Sequence, residues 1–349
     1  MNNDIILLGD ISFNGLISDQ PEKNTQRFKR VAPVLQDAGL VFANLESPVK
    51  GNGEVNLQKR IIHYTDEAVT RDLLSLLNIK CVSLANNHIY DCLMSGVKST
   101  IYLLDELGIY HTGAGWLKEH VGPVLINFNN QQIGFLAYVD ISTNPKTEKS
   151  EEFLINYFDI DKVLNDVSRV RPFVDRVICS IHWGLDFSFF PTDYQVKVAN
   201  MLINNGVDVI MGHHSHTIQP YTKVSTSKYI FYSLGSFCYG DHIWNGRIRG
   251  LKTRSKKSFI VKLNKNFCNV KFIPIIELKG NSIDFRKGDF TQWSNRKWAI
   301  YKLFKIIPLL KIIVKIHNRY WVKFYNFFFG YYRNPFLGII DIFIKTCEK

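Results

Sequence analysis

Short apolar runs recur along this chain, and several stop abruptly at a side chain able to hold a cation or move a proton. Ile5-Ile6-Leu7-Leu8-Gly9 leads to Asp10, Leu40-Val41-Phe42-Ala43-Asn44-Leu45 leads to Glu46, and Cys81-Val82-Ser83-Leu84 leads to Ala85-Asn86-Asn87-His88 with Asp91. Later, Val177-Ile178-Cys179-Ser180-Ile181 ends in His182-Trp183-Gly184, and Val209-Ile210-Met211-Gly212 ends in His213-His214-Ser215-His216. Runs of this length, rich in β-branched residues and bounded by turn formers, predict buried strands. Helical periodicity falls between them, over 25–38 with Gly39 closing it, and over 66–77, 93–107, 159–171 and 194–205. Residues 122–138 predict a hairpin, with strands over 124–128 and 132–138 about the turn Asn129-Asn130. One more strand is expected over 228–233, and 257–264 with 269–278 form an antiparallel closing pair. Alternating strands and helices predict an α/β fold.

Ligands in open α/β sheets sit outside the carboxyl ends of the strands, which makes Asn87, His88 and Asp91 the first suspects. The competing reading is a turn at Asn86-Asn87 with His88 as a cap, since Asn and Asp favour both roles. Recurrence at five strand ends favours chemistry over turns. Oxygen and imidazole donors without thiolate suit Mn, Fe or Zn in a hydrolytic site. Elsewhere the ordinary reading is preferred. Leu73, Leu74, Leu76 and Leu77 form a core stripe. The lone histidines His63, His111, His120 and His317 are taken as ordinary side chains, and Asp186 and Asp193 as solvated. Trp183 and Tyr239 are open between lining a pocket and packing the core. Gly51-Asn52-Gly53 opens a loop expected to cover the site.

Composition narrows the picture. With 46% hydrophobic and 21% charged residues, disorder is not expected. The six cysteines show no C-x-x-C spacing and are read as reduced thiols. Of the net charge of +12, +9 lies in residues 296–349, where eleven Lys and Arg face only Asp341 and Glu348, leaving +3 for everything before. Two regions follow: a main domain over 1–284 and a basic, aromatic tail over 285–349. Residues 298–316 carry too many lysines to span a bilayer, and with Tyr320, Trp321 and Phe327-Phe328-Phe329 they fit a helix lying on an anionic membrane surface. Docking onto the main domain or a partner protein is the alternative. Nucleic acid is the weaker reading, because the basic residues accompany apolar surface. Met1-Asn2-Asn3-Asp4 leads straight into the first strand with no signal-peptide pattern, so a cytoplasmic protein is expected, with the tail at the inner face of the plasma membrane.

The collinear set Gly9-Asp10, Asn44-Leu45-Glu46, Ala85-Asn86-Asn87-His88 with Asp91, His182-Trp183-Gly184, Gly212 to His216 with Gln219-Pro220, and Tyr232 to Phe237 resembles the CapA family of bacterial capsule and poly-gamma-glutamate synthesis proteins. The resemblance covers about residues 4–278. That family is related to the calcineurin-like metallophosphatases, which implies a two-sheet β-sandwich flanked by helices, in four layers. It implies that Asp10, Glu46, Asn87, His182, His214 and His216 line a site for two divalent metal ions. It further implies that His88 is the general acid and Asp91 its orienting carboxylate. His214 is chosen over His213 on the family's Gly-x-His-x-His pattern, and His213 stays open. Asn86, His213 and Trp183 stand as substrate-contacting candidates. Two departures bear on mechanism: Ser12 stands where the superfamily usually has a histidine, and Glu46 where it has a second aspartate.

Two functions are carried forward. One is a metal-dependent phosphoesterase acting in capsule, poly-gamma-glutamate or other cell-surface polymer synthesis. The other is a non-catalytic accessory protein that binds or hands over an anionic polymer.

Overall fold

The strand Ile5–Ser12 is buried along its whole length and carries the first ligand-type residue, Asp10, near its carboxyl end. The structure, a computed structural model, describes residues 4–59, 61–145, 152–244, 247–251, 253 and 255–306. Ile5–Ser12 pairs in parallel with Leu40–Leu45, which pairs with Cys81–Ser83, which pairs with Tyr110–Thr112. On its other edge Lys257–Leu263, Val270–Glu277 and Ile283–Phe285 continue the sheet antiparallel. The short strand Ser236–Tyr239 adds a parallel pairing to the end of Ile5–Ser12, with Asp10 opposite Ser236 and Ser12 opposite Tyr239. A second sheet runs in the order Tyr221–Lys223, Tyr229–Phe231, Val209–His213, Arg176–His182, Gln131–Val139 and Val124–Phe128.

The alternation of side chains along a strand decides what each face buries. Ile5 and Leu7 point between the sheets and pack with Phe42, Phe135, Ile178, Met211, Phe231 and Phe259. Ile6 and Leu8 point the other way, onto Phe28, Leu35, Leu73, Leu74, Val97 and Leu104 of the flanking helices. Helices Ile160–Val170 and Asp193–Asn204 bury Val163, Val167, Val198 and Leu202, and Val170 lies over Gly134 of the second sheet. The result is the expected α/β sandwich of two sheets between helical layers. Each such apolar side chain taken fully out of water stabilises the fold by roughly 1.5–3 kcal/mol, which is why the strand positions are fixed far from the site as well as near it.

Local elements follow their sequence cues with one instructive exception. Asn129 and Asn130 both take positive φ (51° and 61°), the backbone that a two-residue hairpin turn needs. Asp66 and Asp159 cap the helices Glu67–Leu76 and Ile160–Val170 by accepting from the Ala68 and Lys162 N–H groups. The helix expected over 25–38 is instead two short ones, Asn24–Phe28 and Ala32–Gln36. Pro33 accounts for the break, since its ring lacks an N–H and would meet the carbonyl four residues earlier.

By internal contacts the chain divides into two units, Met1–Lys297 and Trp298–Lys349. In the first, the start of the helix Phe290–Ile306 is held down: the Phe290 ring stacks on Phe259 with centroids 4.0 Å apart, and the Ser294 hydroxyl donates to the Tyr221 carbonyl. In the second, the rings of Trp298 and Tyr301 meet edge to face. The expected surface helix beyond Ile306, with Trp321 and Phe327 to Phe329, lies outside the described residues, as does Cys347. No described helix is long and apolar enough to cross a membrane.

Candidate metal centre

Parallel pairing brings the carboxyl ends together. Asp10 stands opposite Asn44, Asn44 opposite Ser83, and in the second sheet His182 stands opposite both His213 and Val139. Gly9 makes room for this. A Cβ there would come within 1.8 Å of the Gly235 carbonyl oxygen, the same carbonyl that accepts from the Asp10 N–H at 3.0 Å. Only glycine lets the strand end approach that loop.

Asp10, Glu46 and His216 are the core of the cleft: all three are buried, and one ligand atom from each lies within 4.8 Å of the others. His216 Nδ1 is 3.4 Å from Asp10 Oδ2, and its Nε2 is 3.7 Å from Glu46 Oε1. Asp10 also accepts from Asn44 Nδ2 at 2.9 Å and from the His214 main-chain N–H at 3.2 Å. Glu46 is different, because both of its carboxyl oxygens are buried without a hydrogen-bond partner. A buried carboxylate in that position is costly unless something positive sits beside it.

The electrostatics follow from burial and neighbours. Burial works to raise Asp10, but the His213 and His216 imidazoles outweigh it and hold the carboxyl well below the usual range. Burial pushes Glu46 up to about 8, with His216 pulling the other way and Asp10 adding to the rise. Burial works to lower His216, yet Glu46 and Asp10 prevail and bring it to about 9. The protein by itself therefore keeps protons where a cation would put positive charge.

The other expected residues arrange themselves around this core. His182 Nε2 lies 2.9 Å from Asn87 Oδ1 and 3.8 Å from Glu46 Oε1. Its Nδ1 accepts from Asn44 Nδ2 at 3.3 Å, which places the ring proton on Nε2, and burial holds the ring well below the usual histidine range. His213 Nδ1 is 3.0 Å from Asp10 Oδ1, but neither of its nitrogens has hydrogen-bond geometry to any described residue. His214 turns Nε2 toward half-exposed Asp186 at 3.5 Å and leaves Nδ1 buried without a partner. His214 and His216 both sit at positive φ (85° and 50°), a backbone that non-glycine residues rarely adopt. Ser12 is buried with its hydroxyl unpartnered.

Beside the core stands His88, whose Nδ1 donates to Asp91 Oδ2 at 2.7 Å. Burial and the Lys59 ammonium hold His88 well below the usual histidine range, while burial raises Asp91. Asn86 is scaffold: it donates to the Leu45 carbonyl at 2.8 Å and accepts from the His88 N–H at 3.0 Å. Trp183, 1% exposed, donates its indole N–H to the Tyr232 carbonyl at 3.1 Å and packs at a tilt against Phe158, with ring centroids 6.4 Å apart.

Residues 4–241 match the family described as Bacterial capsule synthesis protein PGA_cap, a span that contains every residue just placed. This chain belongs to the PGA_cap family. Within it, the chain is 29% identical over 242 residues to the capsule biosynthesis protein CapA of Bacillus anthracis, covering 67% of this chain and 56% of that protein. It is 26% identical over 265 residues to the PGA biosynthesis protein CapA of Bacillus subtilis, covering 74% of this chain and 67% of that one. The chain thus spans little more than half of the B. anthracis relative. Among solved structures it is similar to the calcineurin-like phosphoesterase YfkN from B. subtilis, with TM-score 0.43 and 10% identity over 84% of this chain and 94% of that one. That likeness is loose, and the two-sheet architecture rests on the strand pairing given above.

Three cleft residues of this PGA_cap chain were given no site role from the sequence: Asn44, quoted only as part of a motif, Lys59, and His63, read as an ordinary histidine. Asn44 lies inside an apolar run and is identified only by its register opposite Asp10. Lys59 and His63 lie in the loop 51–65, which has no periodicity to give them direction. The loop itself was expected over the site, and that was the one available cue.

Proposed function

We propose that this chain is a cation-dependent hydrolase of phosphoester-type substrates, acting in the synthesis of capsule, poly-gamma-glutamate or a related cell-surface polymer. The observation that carries the reading is Glu46, whose two buried, unpartnered oxygens face His216 beside Asp10. The donor set of two carboxylates and an imidazole fits a divalent cation such as Mn, Fe or Zn. Asp10, Glu46 and His216 would hold it. Asn87, His182 and His214 would border a second position. A bound cation of this kind lowers the pKa of a coordinated water and stabilises charge on a phosphoryl oxygen.

The remaining chemistry belongs to the chain's own side chains. Asp91 fixes the His88 ring through Nδ1 and so determines which nitrogen, Nε2, is left to exchange a proton with the substrate. With the ring held below its ordinary range, His88 is neutral near pH 7, and it would take up the proton that the attacking water releases before returning one to the leaving oxygen. The test is hydrolysis of generic phosphomonoesters and phosphodiesters with added Mn or Zn, repeated with Asp10→Ala and His88→Ala. Cation-dependent hydrolysis lost in both variants supports the reading. Tight cation binding with no hydrolysis of either substrate class would favour the accessory, polymer-handling role.

A further inference from the structure

One buried ammonium in this cleft touches three residues at once, and the arrangement is richer than holding a loop requires. Lys59 lies on the irregular segment 51–65, between the strand Leu40–Leu45 and the helix Glu67–Leu76, and its side chain is 7% exposed. The ammonium donates to the Asn87 carbonyl oxygen and to Asp91 Oδ1. It also lies 3.4 Å from His88 Nδ1. That last contact is not a hydrogen bond, because Nδ1 gives its proton to Asp91 and an ammonium has only donors to offer.

Asp91 is consequently held on both oxygens. Lys59 takes Oδ1, while Oδ2 receives the His88 Nδ1 proton and the His63 main-chain N–H at 2.6 Å. The same segment lays the His63 ring edge-on against His88 with centroids 4.2 Å apart. Anchorage of the segment is already supplied elsewhere: Asn56 N donates to the Asp91 carbonyl, Thr65 N to the Pro48 carbonyl, and Lys50 N to the Thr65 carbonyl. A buried ammonium is costly to place unless its partners need it. Its partners here are the main chain of Asn87 and the side chain that orients His88.

We propose that Lys59 is a positioning residue that holds Asn87, His88 and Asp91 in one frame at the carboxylate–histidine cleft. It is not a catalytic residue, since it acts through groups that touch substrate or cation. The inference rests on the hydrolytic reading of the cleft, and its test separates the two. Full-length wild type, Lys59→Met, Lys59→Arg and Lys59→Gln are compared by steady-state hydrolysis of a generic phosphodiester with saturating Mn. In parallel, ¹⁵N-histidine NMR on the Zn-loaded proteins follows the His88 Nδ1–H signal.

Loss of such a supporting partner typically costs about 10- to 100-fold. Lys59→Met should therefore lower kcat by about that factor with little change in KM, and should weaken or broaden the Nδ1–H signal. Lys59→Arg should recover most of both. Lys59→Gln keeps a donor, one atom closer to the main chain, without the charge, and it stands in for Lys59→Met if that variant does not fold. Wild-type kcat together with an unchanged Nδ1–H signal in the neutral variants would overturn the proposal while leaving the hydrolytic reading intact. If the wild type binds cation but hydrolyses nothing, the hydrolytic reading fails, and the NMR signal alone decides whether Lys59 holds the dyad.

Discussion

His216 turns its Nε2 toward Glu46 Oε1 at 3.7 Å, beyond hydrogen-bond reach. It is close to the separation of about 3.4 Å expected for two ligands each about 2.1 Å from one tetrahedral cation. Asp10 approaches the other nitrogen of the same ring at 3.4 Å, so one imidazole stands between Asp10 of the strand Ile5–Ser12 and Glu46, the residue just past Leu40–Leu45. The spacing has an electrostatic consequence that can be measured.

In the protein by itself Glu46 is raised from 4.5 to about 8, and His216 from 6.5 to about 9. Between the ordinary and the raised values the folded state holds protons that the unfolded chain has released. Stability of the metal-stripped protein therefore falls as pH rises from about 6.5 to about 9, the range in which histidines held below their ordinary value, such as His88 and His182, are neutral folded or unfolded and add no opposing slope. A cation replaces those protons, so the Tm increase on adding Mn or Zn should be larger at about pH 8.5 than at about pH 6. Glu46→Gln should flatten both dependences. Thermal melts at a series of pH values, with and without cation, check this; a Tm of the stripped protein that rises through the window would contradict it.

His88 and Asp91 stand next to the Asp10–Glu46–His216 cluster without belonging to it. His88→Ala and Asp91→Asn should lower kcat by about 10²- to 10⁴-fold, the range for a positioned proton-transfer group. Bound metal per chain should stay at the wild-type value. Metal analysis alongside kinetics makes the distinction, and loss of metal in either variant would move that residue into the ligand set.

Trp183 follows His182 in sequence but has its indole N–H committed to the Tyr232 carbonyl. Trp183→Phe should leave KM for a phosphodiester unchanged while destabilising the fold by about 1–3 kcal/mol, the cost of an abandoned buried partner. Urea denaturation and steady-state kinetics together test it. A rise in KM at unchanged stability would return Trp183 to the cleft wall.

The strand ends were legible because an apolar run of strand length has one obvious stopping point, and Asp10, Glu46 and His182 are those points. The helix limits expected over 66–77 and 194–205 fall within one residue of Glu67–Leu76 and Asp193–Asn204, but the pattern was misleading at Pro33, where a single imino acid outweighed good helical periodicity. What the sequence could not disclose were residues whose role comes from pairing across the sheet or from a loop folding back. Asn44 is the first kind and Lys59 the second. A lone histidine such as His63 reads as ordinary until the ring it packs against, His88, is known.

Divalent-cation titration by calorimetry, on metal-stripped wild type and on Asp10→Asn and Glu46→Gln, addresses the central claim most directly. The account predicts saturable binding by the wild type that weakens in each variant by more than the about 10- to 100-fold that loss of an outer partner costs. Binding of equal strength in all three proteins, or none in the wild type, would contradict it.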